Sequence, residues 1–212
     1  KWELENSGEY DAARIGGSAL KAALDRNLRA EIAHWLNKHS AAVFNDFEKF
    51  FDTLDIPTLI KNALEVGFPP VKLAFILQQH FAPRSVQASS FTAQPISVYK
   101  SILAGCKASI GITRAYLKPG ISGLDKKYPQ AHTSVLVDDT CMQSIGDDFE
   151  DVLDKIVPAI ITFGEVAKSL KLSLSPKAAI TASSPKLAAF LQKELSSYGM
   201  TFKIDQKARD VG

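Results

Sequence analysis

The residues best equipped for chemistry are three aspartates. Asp138 and Asp139 are adjacent, wedged between the short apolar runs 133–137 and 141–145. Asp46 lies near the end of a third apolar run, Ala41-Ala42-Val43-Phe44-Asn45-Asp46-Phe47. Neighbouring carboxylates repel one another and are seldom crowded without a counter-ion. Hard oxygen donors suit Mg²⁺, which is usually held by one or two carboxylates together with substrate phosphates. Two such ions about 3.5–4 Å apart can stabilise both the attacking and the leaving oxygen of an in-line phosphoryl transfer. Taken alone, Asp138-Asp139 reads more readily as a surface turn, where aspartate is common. A site becomes the better reading if Asp46 ends a strand lying beside that turn.

The pattern along the chain supplies such strands. Ser18 is placed to cap a helix in which Leu20, Leu24, Leu28, Ile32 and Trp35 recur at helical spacing to about Asn37. The Ala41–Phe47 run is read as a buried strand. Pro57 sits where a first-turn proline belongs, opening a helix that ends near Gly67. A second helix follows Gly67-Phe68-Pro69-Pro70 and runs to about His80. Residues 84–99 read as a hairpin, and 107–117 as a helix. The runs 133–137 and 141–145 are strands around a tight Asp138-Asp139-Thr140 turn. Val152, Ile156, Ile160 and Phe163 mark one face of a helix over 149–170. Residues 177–182 read as a strand, 185–198 as a helix and 200–204 as a final strand. This order predicts an α+β fold: a ferredoxin-like split βαβ antiparallel sheet with its helices on one face. Asp46 would then face the Asp138-Asp139 turn.

Charge is segregated along the chain. Its net value is only +2. Yet residues 56–137 carry +7, residues 138–154 carry −7 with no basic side chain, and residues 155–212 carry +5. Solvated faces would give such blocks, and so would a basic surface beside a compact acidic site. Carboxylates for metal and Lys or Arg for phosphate would make a polymerase of the second arrangement. With 46% apolar and 23% charged residues, the chain is neither a disordered tail, a fibrous repeat nor a disulfide scaffold. Two distant cysteines, Cys106 and Cys141, point to a reducing compartment. No apolar stretch has the length of a membrane span. The termini read as those of a piece of a longer polypeptide.

Several segments in order resemble the motifs of reverse transcriptases, especially those of group II introns and non-LTR retroelements. Asp46-Phe47-Glu48-Lys49-Phe50-Phe51-Asp52 resembles the first palm motif, and Leu136-Val137-Asp138-Asp139 the aromatic-x-Asp-Asp signature. Gly105-Cys106-Lys107-Ala108-Ser109 is similar to the Gly-x-x-x-Ser core of the second motif. Leu172-Ser173-Leu174-Ser175-Pro176-Lys177 is similar to the fourth, and Ala208-Arg209-Asp210-Val211-Gly212 to the start of the primer grip. Arg14-Ile15-Gly16-Gly17-Ser18 resembles a fingers segment faintly. The resemblance implies a partial fingers segment over 1–40, a palm over 41–182, and the end of the palm over 183–212, with no thumb.

It also implies roles. Asp46, Asp138 and Asp139, with the backbone carbonyl of Phe47, would hold two Mg²⁺ ions, for which Mn²⁺ could substitute. Phe51, Gly105, Ser109 and Lys177 would contact the nucleotide. Phe51, five residues after Asp46, would lie under the ribose and select dNTPs. Core packing is the alternative for Phe51, as an exposed strand-end position is for Lys177. The partners would be an RNA template, a DNA primer, dNTPs and the remainder of a longer polyprotein. Action would be intracellular, nuclear or cytoplasmic in a eukaryotic host. Three departures weaken substrate positioning: Ala104 where the family carries Gln, Ile110 where it carries Pro, and Leu136 where it carries an aromatic residue. They keep open a decayed or domesticated domain that only binds nucleic acid, and an RNA-dependent RNA polymerase is a third reading. His34, His39, His80, His132 and Cys106 carry no site pattern. Phe44, Phe47, Phe50 and Phe75 are assigned to the core.

Overall fold

The computed structural model describes residues 1–205. In chain order its elements are α1 (Trp2–Asn6), α2 (Ala19–Trp35), β1 (His39–Asn45), α3 (Phe50–Thr53), α4 (Ile56–Glu65), α5 (Pro70–Phe81), β2 (Gln87–Ala88) and β3 (Phe91–Thr92). After these come α6 (Lys107–Lys127), β4 (Thr133–Leu136), β5 (Asp139–Gly146), α7 (Phe149–Ser169), β6 (Ala179–Ala182), α8 (Pro185–Ser197) and β7 (Lys203–Ile204). A five-stranded sheet runs β4-β5-β1-β6-β7, and β2 with β3 forms a separate hairpin. β1 is therefore central, antiparallel to β5 on one side and to β6 on the other. That is the expected split βαβ order with one strand added. β7 runs parallel to β6, because α8 carries the chain back across the sheet between them, so the sheet is mixed and not purely antiparallel.

Helix starts follow local chemistry. The side chains of Ser18, Asp55, Asp148 and Ser184 each accept a hydrogen bond from a backbone N–H three residues on. Each satisfies a donor that the first helical turn cannot. α6 runs ten residues past its expected end, through Pro119, Gly120 and Gly123. Packing overrides the breakers there. A Cβ on Gly120 would stand 2.4 Å from a methyl of Val166, so the glycine lets α6 approach α7 closely.

Alternation along β1 divides the sheet into two faces. Val43, Met142 and Ile180 point to the core side, where Val152, Ile156, Ile160 and Phe163 of α7 are fully buried against them. Burial of that kind contributes about 1.5–3 kcal/mol per side chain. The opposite face is not bare, as the one-sided expectation had it. α2 lies across it, with Arg26 over the Phe44 ring at 5.5 Å and the Arg26 carbonyl accepting from Gln143 Nε2 at 3.0 Å. Phe44 is therefore only half-buried. Phe75 is exposed, because α5 turns Leu73, Ile76 and His80 inward instead.

The free edge of the sheet is covered by the N-terminal segment. The Ala12 N–H donates to the Val135 carbonyl at 2.8 Å, and the Val135 N–H to the Tyr10 carbonyl at 2.7 Å. Between them, buried Asp11 pairs with the buried guanidinium of Arg114 on α6. No helix among the described residues is long and apolar enough to cross a membrane.

Candidate active site at the carboxylate end of the sheet

The register brings the three aspartates to one end of one face. Phe44 pairs with Cys141, and Asn45 with Thr140. One step further, Asp46 leaves β1 where Asp139 enters β5. Two-residue periodicity puts both on the Phe44–Cys141 face, which α2 partly covers. Asp138 sits in the turn beside them.

That turn differs from the expected one. Leu136 pairs with Asp139, so the turn is Val137-Asp138, and Asp139 and Thr140 belong to β5. Val137 takes φ +61°, in the left-handed region that a β-branched residue rarely enters. Strain of this kind, about 1–3 kcal/mol, persists where the surroundings impose it and clusters at functional sites.

The electrostatics match crowding without compensation. Desolvation, then the charges of Asp139 and Asp46, raises Asp138 above the usual carboxylate range, opposed by its own backbone N–H. Asp139 is raised by desolvation and by Asp46. None of the three takes part in an ion pair among the described residues. A divalent cation would relieve this repulsion, and oxygen donors are its preferred ligands, so the donor set fits Mg²⁺ or Mn²⁺. The side chains as they stand do not form a finished site. Among the described residues no three His, Cys, Asp or Glu side chains are gathered to hold a metal.

Phe47 buries its ring against Phe50 and Phe163. Its backbone faces elsewhere. The Ser175 N–H donates to the Asp46 carbonyl and the Glu48 N–H to the Ser173 carbonyl, which makes Phe47 and Leu174 a non-hydrogen-bonded pair. In such a pair the residue's own N–H and C=O point away from its partner, here toward the Val137-Asp138 hairpin. The Phe47 carbonyl is thus aimed to the side where the carboxylates lie.

The other candidate residues divide. Gly105 is exposed with φ +78° and open space where a Cβ would stand, so the left-handed turn before α6 requires it. Ser109 is not available to a nucleotide. It is 2% exposed, and its hydroxyl donates to the Leu103 carbonyl, bracing that turn. Lys177 is exposed in the turn two residues before β6, the strand expected to contain it. Its N–H donates to Ser175 Oγ at 3.2 Å. Phe51 is half-buried on the short α3 with its ring edge-on to Phe50 at 5.3 Å. Residues 50 and 51 are both helical. Ile110 of α6 and Val137 of the turn line one small cavity with Tyr10, Asp11 and Arg114, which places the start of α6 beside the hairpin. Ala208–Gly212, the expected primer-grip segment, lies outside the described residues.

Two buried residues beneath the site escaped the sequence reading. Asn45 has neither amide atom partnered, and Thr140, directly opposite, has an unpartnered hydroxyl. The available signal was an asparagine inside an otherwise apolar strand, one residue before an aspartate.

No protein-family model matches the sequence, and no curated protein is similar to it at the sequence level. Solved structures do resemble the fold. Telomerase from Candida albicans, in complex with a TWJ fragment of telomeric RNA, superposes with a TM-score of 0.52 at 13% identity, over 84% of this chain and 32% of that one. Apo telomerase from Candida tropicalis, truncated from its C-terminal domain, gives 0.45 at 13% identity, over 78% and 36%. The chain spans about a third of those it matches. The first likeness shows the fold alone: the chain shares the fold of about a third of that telomerase chain.

Proposed function

We propose that the chain is the catalytic part of an RNA-directed DNA polymerase of the retroelement kind. The supporting observation is the register, which sets Asp46 and Asp139 at adjacent strand ends with Asp138 in the turn beside them, none in an ion pair among the described residues, and with Asp138 and Asp139 raised by burial and by neighbouring carboxylate charge. In this reading the primer 3′-oxygen attacks the α-phosphorus of a dNTP. The bond to the β-phosphate oxygen breaks, and pyrophosphate leaves. When bound, two Mg²⁺ ions would lower the pKa of the attacking hydroxyl and neutralise charge on the phosphates. Asp46, Asp138, Asp139 and the Phe47 carbonyl would hold them. Lys177, exposed beyond β6, would approach the phosphates, and the open surface at Gly105 would admit nucleotide and template.

Phe51 would select the sugar. A ring under the ribose leaves a 2′-hydroxyl crowded and without a partner, a cost of about 1–3 kcal/mol. Phe51→Val should therefore narrow the preference for dNTPs over rNTPs, and unchanged selectivity would defeat that assignment.

The test is primer extension on an RNA template with a DNA primer and dNTPs, comparing wild type with Asp138→Asn. Extension by the wild type alone is expected. Equal background from both would leave a nucleic-acid-binding module, the reading that Ala104, Ile110 and buried Ser109 favour. Extension with rNTPs in preference would make it an RNA polymerase.

A further inference from the structure

α2 is turned the wrong way for a helix of a monomer. Leu20, Leu24, Leu28, Ile32 and Leu36 recur at every fourth residue, with Trp35 beside them, and all six are between 48% and 82% exposed. An apolar ridge of this kind normally faces a core. Here the sheet meets the other side, around Arg26 and buried Ala33. We propose that this ridge is the docking surface for a second copy of the chain, with the two α2 helices packed antiparallel across a two-fold axis near Leu28.

Area supports that occupant. Six side chains exposed to this degree offer on the order of 700 Å² per chain, close to the ~800 Å² per partner of a standard stable interface. Ridges at four-residue spacing also interdigitate with their own kind, the commonest mode of helix packing. Charge supports it as well. In helical projection Lys21 lies on the ridge itself, near its N-terminal end, while Asp25 and Glu31 flank it on opposite sides. An antiparallel two-fold at Leu28 sets Lys21 over the partner's Trp35, a cation–π arrangement. It also sets Asp25 near the partner's Arg29, which has no ion pair of its own among the described residues. A polyanion would instead meet one carboxylate on each flank, Asp25 and Glu31.

The proposal does not rest on the catalytic reading. Sedimentation velocity from about 1 to 100 µM should show a concentration-dependent dimer, with Trp35 fluorescence shifting to the blue as it forms. Leu28→Glu should weaken association at least tenfold while leaving the melting curve of the monomer unchanged, since Leu28 is 59% exposed and lies outside the core of its own chain. In a Cys106→Ser background, Leu28→Cys should oxidise to a cross-linked dimer. Leu20→Cys alone should not, whereas Leu20→Cys with Leu36→Cys should. A wild type that stays monomeric at 100 µM would overturn the proposal, as would a dimer indifferent to Leu28→Glu or self-cross-linking by Leu20→Cys alone. Burial of Trp35 by an RNA–DNA duplex on a monomeric protein would also overturn it, giving the face to nucleic acid.

Discussion

β5 is acidic at both ends, and the ends could hardly differ more. At its start stand Asp138 and Asp139; beyond its finish, roughly 25 Å away, stand Asp147, Asp148, Glu150, Asp151 and Asp154. In the far group Asp147, Asp148 and Asp151 are all engaged. Asp148 caps α7, Glu150 and Asp151 lie in its first turn where negative charge is favoured, Asp147 pairs with Lys38 at 2.8 Å, and Asp151 pairs with Lys155 at 2.7 Å. Lys155 and the Asp147 backbone N–H hold Asp151 below the usual carboxylate range. The near group has no cation and is raised. Acidic density alone does not single out a candidate site; uncompensated density sets the two groups apart.

That contrast can be broken in several places. Asp11 is the buried, paired extreme, so removing its partner should do most damage. Arg114→Ala should cost about 3–5 kcal/mol in chemical denaturation by leaving a buried charge alone. Asp11→Leu combined with Arg114→Met should recover much of it. Asp148→Ala should cost about 1 kcal/mol through the lost cap, read as a lower melting temperature. Val137→Gly should act in the opposite sense, gaining about 1 kcal/mol by releasing a left-handed valine. Smallest, but opposite in sign, are two charge removals at neutral pH without metal: Asp139→Asn should raise the melting temperature and Asp151→Asn lower it. The pH dependence follows the same division. Asp138 and Asp139 titrate above the unfolded value, so their penalty is present at neutral pH and disappears as pH falls through the folded pKa values. Asp151 titrates below it, so its contribution holds above the unfolded pKa and is lost as pH falls through the lowered value. Carboxylate NMR titration separates the two groups directly.

Periodicity and caps located α2, β1, α4, α5, α7 and α8 to within a few residues, because each segment carries its own hydrophobic period and start signal. What periodicity lacked was direction. The Leu20–Ile32 stripe is equally helical whether it faces a core or solvent, and only the three-dimensional arrangement shows that α2 presents it outward. α6 ran long because contact with α7 outweighs the local cost of Pro119 and two glycines. The hairpin turn slipped by one residue because the pairing of Leu136 with Asp139, not the turn preference of aspartate, sets it. Segregated charge identified an acidic stretch but could not divide it, since Lys38 and Lys155 reach it from outside. The three aspartates were legible as chemistry, whereas the orphaned Asn45 and Thr140 beneath them depend on burial.

The central claim is that the hairpin carboxylates are held apart in charge for a cation. Scanning calorimetry with and without millimolar Mg²⁺ or Mn²⁺ tests it most directly. Binding to the folded state alone raises stability by mass action, about 2.7 kcal/mol at a hundred times the dissociation constant. Metal should therefore raise the melting temperature of the wild type, and Asp139→Asn, already relieved of repulsion and lacking one ligand, should show a smaller rise. A wild-type transition that does not move with metal would contradict the claim.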